Sequence, residues 1–209
     1  MRVRVKLCGV TRLQDALRAA EMGCDAIGFN FVASSPRYIP PWRAREIAAA
    51  LPPYVSRVGV FADERPEAIE ATAAIAGITC VQLHGDEPPD ACQALRIPWY
   101  KAHRVTPAFR PEDVARYPAP GFLLDGHDPG TLGGSGRTFD WRLARRASAY
   151  GMVILAGGLT ADNVASAIVE GRPFAVDVNS GVESAPGIKD PALLALFMRR
   201  VAAASAEEP

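Results

Sequence analysis

Short apolar runs rich in β-branched residues alternate with longer amphipathic stretches along the whole chain. Eight of these runs have the length and composition of strands: residues 3–8, 26–31, 55–61, 80–84, 99–103, 122–125, 152–156 and 175–178. Stretches with helical periodicity lie between them, for example residues 13–22, 44–51, 66–75 and 161–169. Strands separated by segments of helical length predict βαβ units and a parallel sheet.

The number of repeats indicates the fold class. Eight such units predict an α/β protein, a single (β/α)8 TIM barrel with a closed sheet of eight parallel strands. The chain has 209 residues, which is near the lower end of roughly 200 residues for one such barrel. A doubly wound open sheet is the alternative, but no Gly-x-Gly-x-x-Gly motif follows the first predicted strand to support it.

The ends of the predicted helices carry residues that favour helix starts. We predict Thr11 and Thr160 as N-caps, and Asp190 followed by Pro191 as the start of a closing helix over residues 191–203. No linker or shift in composition divides the chain, so we predict one domain over residues 1–209, with a frayed tail from about residue 204.

Polar residues near the strand ends indicate where a site would lie. Strand side chains alternate between two faces, and the apolar positions suit the face towards the helices. The opposite, inward face then receives Lys6, Cys8, Gln82, His84, Asp125, Asp177 and Asn179. Four of these lie at or just past the carboxyl end of their strand, where barrel enzymes place their chemistry: Cys8, His84, Asp125 and Asn179.

Glycine-rich loops follow the last three strands. Gly157 and Gly158 follow the seventh strand, and Ser180 and Gly181 follow the eighth. Barrels commonly bind phosphate between these two loops through backbone N–H groups, and a glycine allows the backbone to approach the ligand closely. The loop over residues 130–136, which contains Gly134, is either a flexible surface loop or a mobile lid over Asp125.

Charge and cysteine usage exclude several classes of function. The formal net charge is zero and no clustered basic face is evident, so we expect no nucleic-acid partner. No run of about 18 apolar residues predicts a membrane span, and the charged first six residues do not resemble a secretory signal. The four cysteines form no Cys-x-x-Cys pair. We therefore expect no metal site and a reducing, cytoplasmic location.

The motifs, taken in order, resemble those of the phosphoribosylanthranilate isomerase family. The resemblance runs from about Val3 to Val201 and rests on residues 6–11 (KLCGVT), 28–31 (GFNF), 35–38 (SPRY), 58–61 (VGVF), 81–87 (VQLHGDE), 124–125 (LD), 133–136 (GGSG), 139–141 (FDW), 155–159 (LAGGL), 177–183 (DVNSGVE) and 186–190 (PGIKD). Three departures concern Arg137 where lysine is more usual, Asn179 where serine is frequent, and residues 127–129 (HDP) inside a loop.

The resemblance implies an Amadori rearrangement in tryptophan biosynthesis, with N-(5-phosphoribosyl)anthranilate as the small-molecule substrate and no cofactor. It implies Asp125 as the general acid, Cys8 as the general base and Arg37 as the partner of the anthranilate carboxylate. An inward-facing Lys6 is expected to favour the thiolate of Cys8. The predicted substrate-binding residues are Lys6, Arg37, His84, Gly134, Gly157, Gly158, Asp177, Asn179, Ser180 and Gly181.

Three rival functions stay open on the sequence. An indole-glycerol-phosphate synthase would need a catalytic lysine, and Lys101 lies in a predicted strand beside Lys6 as a candidate. A pentose-phosphate epimerase would need a metal-binding cluster of histidine and aspartate, and the chain has three histidines. A non-catalytic phosphosugar-binding protein would not need Cys8 and Asp125. The pattern fits either a monomer or a homodimer.

Overall fold

Eight parallel strands close into a barrel in the computed structural model, which describes residues 2–126 and 139–206. Each strand pairs with the next along the chain, and the first pairs with the eighth, with Lys6 opposite Asp177. The closed parallel barrel is confirmed, and the open-sheet alternative is wrong. The strands are β1 Arg4–Leu7, β2 Ala26–Asn30, β3 Ser56–Phe61, β4 Cys80–Leu83, β5 Trp99–Arg104, β6 Gly121–Asp125, β7 Met152–Ala156 and β8 Ala175–Val178.

Helices cover the outside of the barrel between the strands. They are α1 Leu13–Glu21, α2 Pro41–Ala50, α3 Pro66–Ala76, α4 Pro89–Gln93, α5 Arg142–Ala147, α6 Val164–Gly171 and α7 Pro191–Ala206. A 3-10 helix, Pro111–Arg116, lies between β5 and β6. After β8 the chain makes a 3-10 turn and then a two-stranded hairpin, β9 Glu183–Ala185 with β10 Ile188–Lys189, before α7 begins. Within the described ranges, no helix is both long and apolar enough to cross a bilayer.

Of the three predicted N-caps, the structure confirms one. The carboxylate of Asp190 accepts hydrogen bonds from the backbone N–H groups of Ala192 and Leu193, so it caps α7 as predicted. Thr11 does not cap α1, because its hydroxyl donates to the carbonyl of Gly187 instead. Thr160 does not cap α6, which begins four residues later at Val164.

The carboxyl-terminal helix is longer than predicted. It continues to Ala206, and Ala204 is buried. The hydroxyl of Ser205 accepts a hydrogen bond from the backbone N–H of Val3 at 3.2 Å, which ties the end of α7 to the start of β1. The prediction of a frayed tail is therefore wrong for residues 204–206, while residues 207–209 lie outside the described part of the chain.

The barrel wall separates two apolar clusters. The larger one lies between strands and helices and includes Leu7, Leu155 and Val176. The smaller one fills the barrel interior and consists of Val58, Tyr100, Ala102, Leu123 and Ala156. Lys6, Gln82 and Asp177 are also buried, and the strand alternation places them on the interior side. The interior therefore combines an apolar floor with buried polar groups that lead towards the mouth.

Candidate active site

Cys8 lies at the mouth of the barrel, directly after β1. Its backbone N–H donates to the carbonyl of Val178 at 2.9 Å, so the end of β8 fixes its position. A Cβ atom at Gly28 of β2 would come within 3.0 Å of the Cys8 sulfur, so glycine there makes room for the thiol. The residue is 8% exposed, which places the thiol within the mouth and close to its surface.

A buried ion pair lies immediately below this thiol. The Nζ atom of Lys6 is 2.7 Å from Oδ2 of Asp177, and both side chains are more than nine-tenths buried. Burial by itself lowers the pKa of Lys6, but the negative groups around it, with Asp177 the largest contributor, together outweigh burial and hold that pKa well above the ordinary value. The pairing with Asp177 therefore favours the positively charged form of Lys6 in the barrel interior.

The thiol responds to two opposing effects. Burial raises the pKa of Cys8, while the charge and hydrogen bond of Lys6 and the charge of Lys189 lower it; the net direction is upward. Lys6 thus acts in the predicted sense, but desolvation of the thiolate is the larger effect. The surroundings as a whole therefore favour the thiol over the thiolate more than water does.

Arg37 crosses the mouth above Gly9. A Cβ atom at Gly9 would come within 2.7 Å of the Arg37 Cδ and 2.8 Å of the Asn179 Oδ1, and Gly9 has a φ of +67°. The Arg37 guanidinium pairs with the Glu183 carboxylate, with Nε 3.0 Å from Oε1 and Nη2 2.7 Å from Oε2. The glycine after Cys8 therefore lets an arginine and an amide side chain pass close to the thiol.

Glu183 and Lys189, on the hairpin after β8, complete this network. Lys189 Nζ lies 2.8 Å from Oε1 of Glu183 and 2.9 Å from Oδ1 of Asn179. Burial raises the pKa of Glu183, but hydrogen bonds from Arg37 and the charge of Lys189 outweigh it, and the net pKa is lowered. Glu183 therefore stays ionised between two cations and fixes the position of both.

Asp125, at the end of β6, meets His84 across the mouth. Nε2 of His84 is 3.2 Å from Oδ2 of Asp125, whose side chain is 16% exposed. The other ring nitrogen, Nδ1, is 2.7 Å from Nε2 of Gln82. The Gln82 Oε1 accepts a hydrogen bond from the hydroxyl of Tyr100 at 3.0 Å. A line of side chains thus connects the barrel interior to the predicted acid.

The loops after β7 and β8 lie against each other. Gly157 and Gly158 have φ values of +84° and +67°, in the region that favours glycine. A Cβ atom at Gly181 would come within 1.9 Å of the carbonyl oxygen of Leu159, so the two loops touch through their backbones. The Asn163 side chain donates to the carbonyl of Gly158 at 2.9 Å and steadies the first loop. The two loops therefore form one backbone-lined wall of the mouth.

Of the predicted site residues, Gly134 lies outside the described ranges, as do Arg137, residues 127–129 and the whole loop over residues 130–136. Lys101, the other candidate lysine, follows inward-pointing Tyr100 in β5, so the strand alternation places it on the face towards the helices. Its Nζ is 3.0 Å from Oε2 of buried Glu87. His103 also lies elsewhere, with its ring 5.2 Å from that of Tyr117. No group of three metal-ligating side chains occurs in the portion of the chain that the structure describes.

Sequence reasoning missed four residues that the structure brings to this site: Gln82, Tyr100, Glu183 and Lys189. Strand alternation gave an inward position for Gln82 without a role, and the same rule applied to β5 points Tyr100 inward. Glu183 and Lys189 stand within two of the quoted motifs, but their contacts depend on how the hairpin folds back over the mouth.

Fold and site together define a phosphosugar-type barrel enzyme, with a thiol and a carboxyl at the mouth and two glycine loops beside them. A family model described as N-(5'phosphoribosyl)anthranilate (PRA) isomerase matches residues 5–200. The chain belongs to this family, and the resemblance seen in its motifs is confirmed. This membership argues against the synthase, the epimerase and the non-catalytic binding protein.

Individual members of the family are similar to this chain over nearly their full lengths. The chain is 48% identical over 201 residues to N-(5'-phosphoribosyl)anthranilate isomerase of Geobacter metallireducens, covering 96% of this chain and 100% of that one. A crystal structure of phosphoribosyl anthranilate isomerase from Thermus thermophilus is similar, with a TM-score of 0.88 and 42% identity, covering 96% and 99% of the two chains. Another, in complex with reduced 1-(o-carboxyphenylamino)-1-deoxyribulose 5-phosphate, has a TM-score of 0.82 and 42% identity, covering 95% and 98%.

The position of Lys6 beside Cys8 generates a prediction about the thiol. Replacing Lys6 by Gln removes the charge that lowers the pKa of Cys8, so that pKa should rise further. Thiolate absorbance against pH, taken as the difference from a Cys8→Ser protein, measures it. Cys80 and Cys92, whose pKa values burial raises to about 11, cancel in this difference. A Cys8 pKa that is unchanged or lower in Lys6→Gln would show that Lys6 does not favour the thiolate.

Proposed function

We propose that the chain catalyses the Amadori rearrangement of N-(5-phosphoribosyl)anthranilate to 1-(2-carboxyphenylamino)-1-deoxyribulose 5-phosphate, the third step of tryptophan biosynthesis from chorismate. The observation that carries the proposal is the placement of Cys8 and Asp125 at one barrel mouth. The names of relatives that match the full length, and the product-like ligand of one similar structure, support the same substrate.

Asp125 is the proposed general acid. The reaction begins when a proton passes to the furanose ring oxygen, so that the C1–O bond breaks and a Schiff base forms. Asp125 is partly exposed at the mouth and has His84 at 3.2 Å to hold its carboxyl. A carboxyl that presents its proton to a ring oxygen in this way contributes on the order of 10²- to 10⁴-fold to a rate.

Cys8 is the proposed general base. In the second step the proton leaves C2 of the sugar, and its electron pair moves towards the iminium nitrogen to give an enolamine, which tautomerises to the ketone. Cys8 has two cations nearby, Lys6 and Lys189, whose charges favour the thiolate that burial disfavours. The iminium of the substrate is itself the electron sink, so the proposal includes no cofactor.

The wall formed by the β7 and β8 loops is the proposed phosphate site, made of Gly157, Gly158, Ser180 and Gly181. The positive φ values at Gly157 and Gly158 and the backbone contact at Gly181 support this, because they leave peptide groups rather than side chains along the wall. Peptide N–H groups in such loops bind phosphate without a positive side chain.

Arg37 is the proposed partner of the anthranilate carboxylate. Its Nε and Nη2 atoms are used by Glu183, while its guanidinium has further N–H donors to offer a second carboxylate. The Arg37 side chain is 19% exposed and that of Glu183 is 4% exposed, so the two do not form a loose pair on the protein surface. Glu183 then holds the guanidinium rather than contacting the substrate, and Asn179 borders the Arg37 side chain and stays a proposed substrate-binding residue.

The proposed location is the cytoplasm, because all four cysteines are free thiols, as is usual in a reducing compartment. The proposal includes a monomer or a homodimer as the assembly. A Thermotoga maritima relative, 42% identical, is described as dimeric.

The proposed roles predict large and separable losses of activity. Cys8→Ser leaves a far weaker base and Asp125→Asn removes the transferable proton, so each should lower kcat by on the order of 10²-fold or more. Both changes are nearly isosteric, and the midpoint of urea unfolding should stay close to that of the wild type. Cys8→Ser should slow isotope loss from substrate labelled at C2 in proportion to turnover. Near-normal turnover in Cys8→Ser would mean that another group, such as His84, is the base.

The phosphate proposal predicts a binding defect from a small change. Gly158→Ala adds a Cβ atom to the wall and should raise KM about 10-fold or more with little change in kcat, since it removes binding common to ground and transition states. Gly23→Ala is the matched control, because Gly23 also has a positive φ, of +88°, but has open space around it. Equal KM changes in both variants would attribute the effect to backbone strain alone.

The role of Arg37 predicts a dependence on the substrate's carboxylate. Arg37→Ala should lower kcat/KM for the full substrate by on the order of 10²-fold, the value of a charge-assisted pair of about 3 kcal/mol. The loss should be much smaller for an analogue that lacks the carboxylate. Similar losses for both compounds would show that Arg37 is structural.

A further inference from the structure

Two buried side chains have no part in the mechanism above, yet they connect directly to the proposed acid. The Tyr100 hydroxyl is 3.0 Å from Oε1 of Gln82, Nε2 of Gln82 is 2.7 Å from Nδ1 of His84, and Nε2 of His84 is 3.2 Å from Oδ2 of Asp125. Tyr100 is 8% exposed and Gln82 is 1% exposed. The line therefore begins in the barrel interior, away from water, and ends at the mouth.

The direction of the hydrogen bonds along this line follows from its buried end. The Tyr100 phenol must place its hydrogen on an acceptor, and Gln82 Oε1 is the acceptor that the described residues offer within hydrogen-bonding distance. A buried donor left without a partner is destabilising, because it loses its hydrogen bonds to water and gains none in the protein. The NH₂ group of Gln82 then faces His84, and Nδ1 of His84 accepts from it.

The same logic sets the state of the histidine ring. A neutral imidazole has one N–H, and when Nδ1 accepts a hydrogen bond that N–H lies on Nε2, which faces Asp125. An imidazolium would need its Nδ1–H to face the NH₂ group of Gln82, donor against donor. An imidazolium would also favour the ionised form of the neighbouring carboxyl, and an ionised Asp125 has no proton to give.

We propose that Tyr100 and Gln82 are positioning residues that hold His84 as the neutral Nε2–H tautomer, which in turn orients the carboxyl of Asp125 for proton transfer. This inference rests on the proposed function, because it takes Asp125 as the acid. It assigns His84 an orienting role rather than that of a second acid or base. Tyr100 and Gln82 act through the ring and do not touch the substrate.

The test replaces Gln82 by Glu, which keeps the shape but offers an acceptor to Nδ1. The chain has three histidines, so ring ¹⁵N spectra of histidine-labelled protein are simple, and a His84→Asn sample assigns the His84 signals. We expect the wild type without ligand to show a proton on Nε2 and a bare Nδ1 at pH 7. Gln82→Glu should move a proton onto Nδ1 and lower kcat by about 10-fold or more, with a smaller change in KM.

Two further variants separate positioning from general damage. Tyr100→Phe removes the hydroxyl that orients the amide and should give a mixture of tautomers with an intermediate kcat. Tyr117→Phe is the matched control, since its hydroxyl donates to the Glu87 carbonyl at 3.0 Å and not to Gln82. Tyr117→Phe should leave the His84 tautomer and kcat as in the wild type.

The outcomes distinguish this inference from the proposed function. An Nδ1–H tautomer in the wild type, or a changed tautomer in Gln82→Glu with normal kcat, overturns the positioning role. A loss of kcat in Gln82→Glu with the wild-type tautomer also overturns it, because Gln82 would then act by another route. Normal turnover in Asp125→Asn, with the expected tautomers, would remove Asp125 as the acid and leave the tautomer assignment intact.

Discussion

The buried ion pair between Lys6 and Asp177 joins β1 to β8 at the seam where the barrel closes. Removing two such charges from water costs several kcal/mol for each ion, and well-packed apolar residues are often as stabilising or more so. The pair is therefore a poor device for stability alone. Its position offers a better explanation, because the ammonium lies beneath the one thiol at the mouth and opposes the effect of burial on that thiol.

A second group of paired charges lies around the upper part of the mouth. Arg37 and Lys189 share the carboxylate of Glu183, and Lys189 also donates to the side chain of Asn179. A single anion between two cations keeps both ordered while leaving net positive charge near the thiol. The hairpin after β8 supplies Glu183 and Lys189, so a short irregular segment determines the electrostatics of the site.

Two glycines at the mouth allow neighbouring groups to approach the backbone closely. At Gly9 a side chain would collide with Arg37 and Asn179, and at Gly181 it would collide with the Leu159 carbonyl. The first glycine brings an arginine over the thiol, and the second brings two backbone loops together. The site therefore depends on glycine at these two positions, because any side chain there would prevent the close contacts. This requirement is why the loops can be recognised in the sequence by their glycines.

Local pattern determined the fold and the inward positions of Cys8 and Asp125, whereas their roles as base and acid were implied by the resemblance to the family. Period-two alternation in short runs places Lys6, Gln82 and Asp125 on the inward face, because each strand is hydrophobic towards the helices whatever its neighbours are. The sequence could not determine which side chains meet. Lys6 and Asp177 are 171 positions apart, and Arg37 and Glu183 are 146 apart. Those pairs, the line from Tyr100 to Asp125 and the upward shift in the Cys8 pKa exist only once the barrel has closed, because contact between distant strands and loss of water are properties of the packed chain.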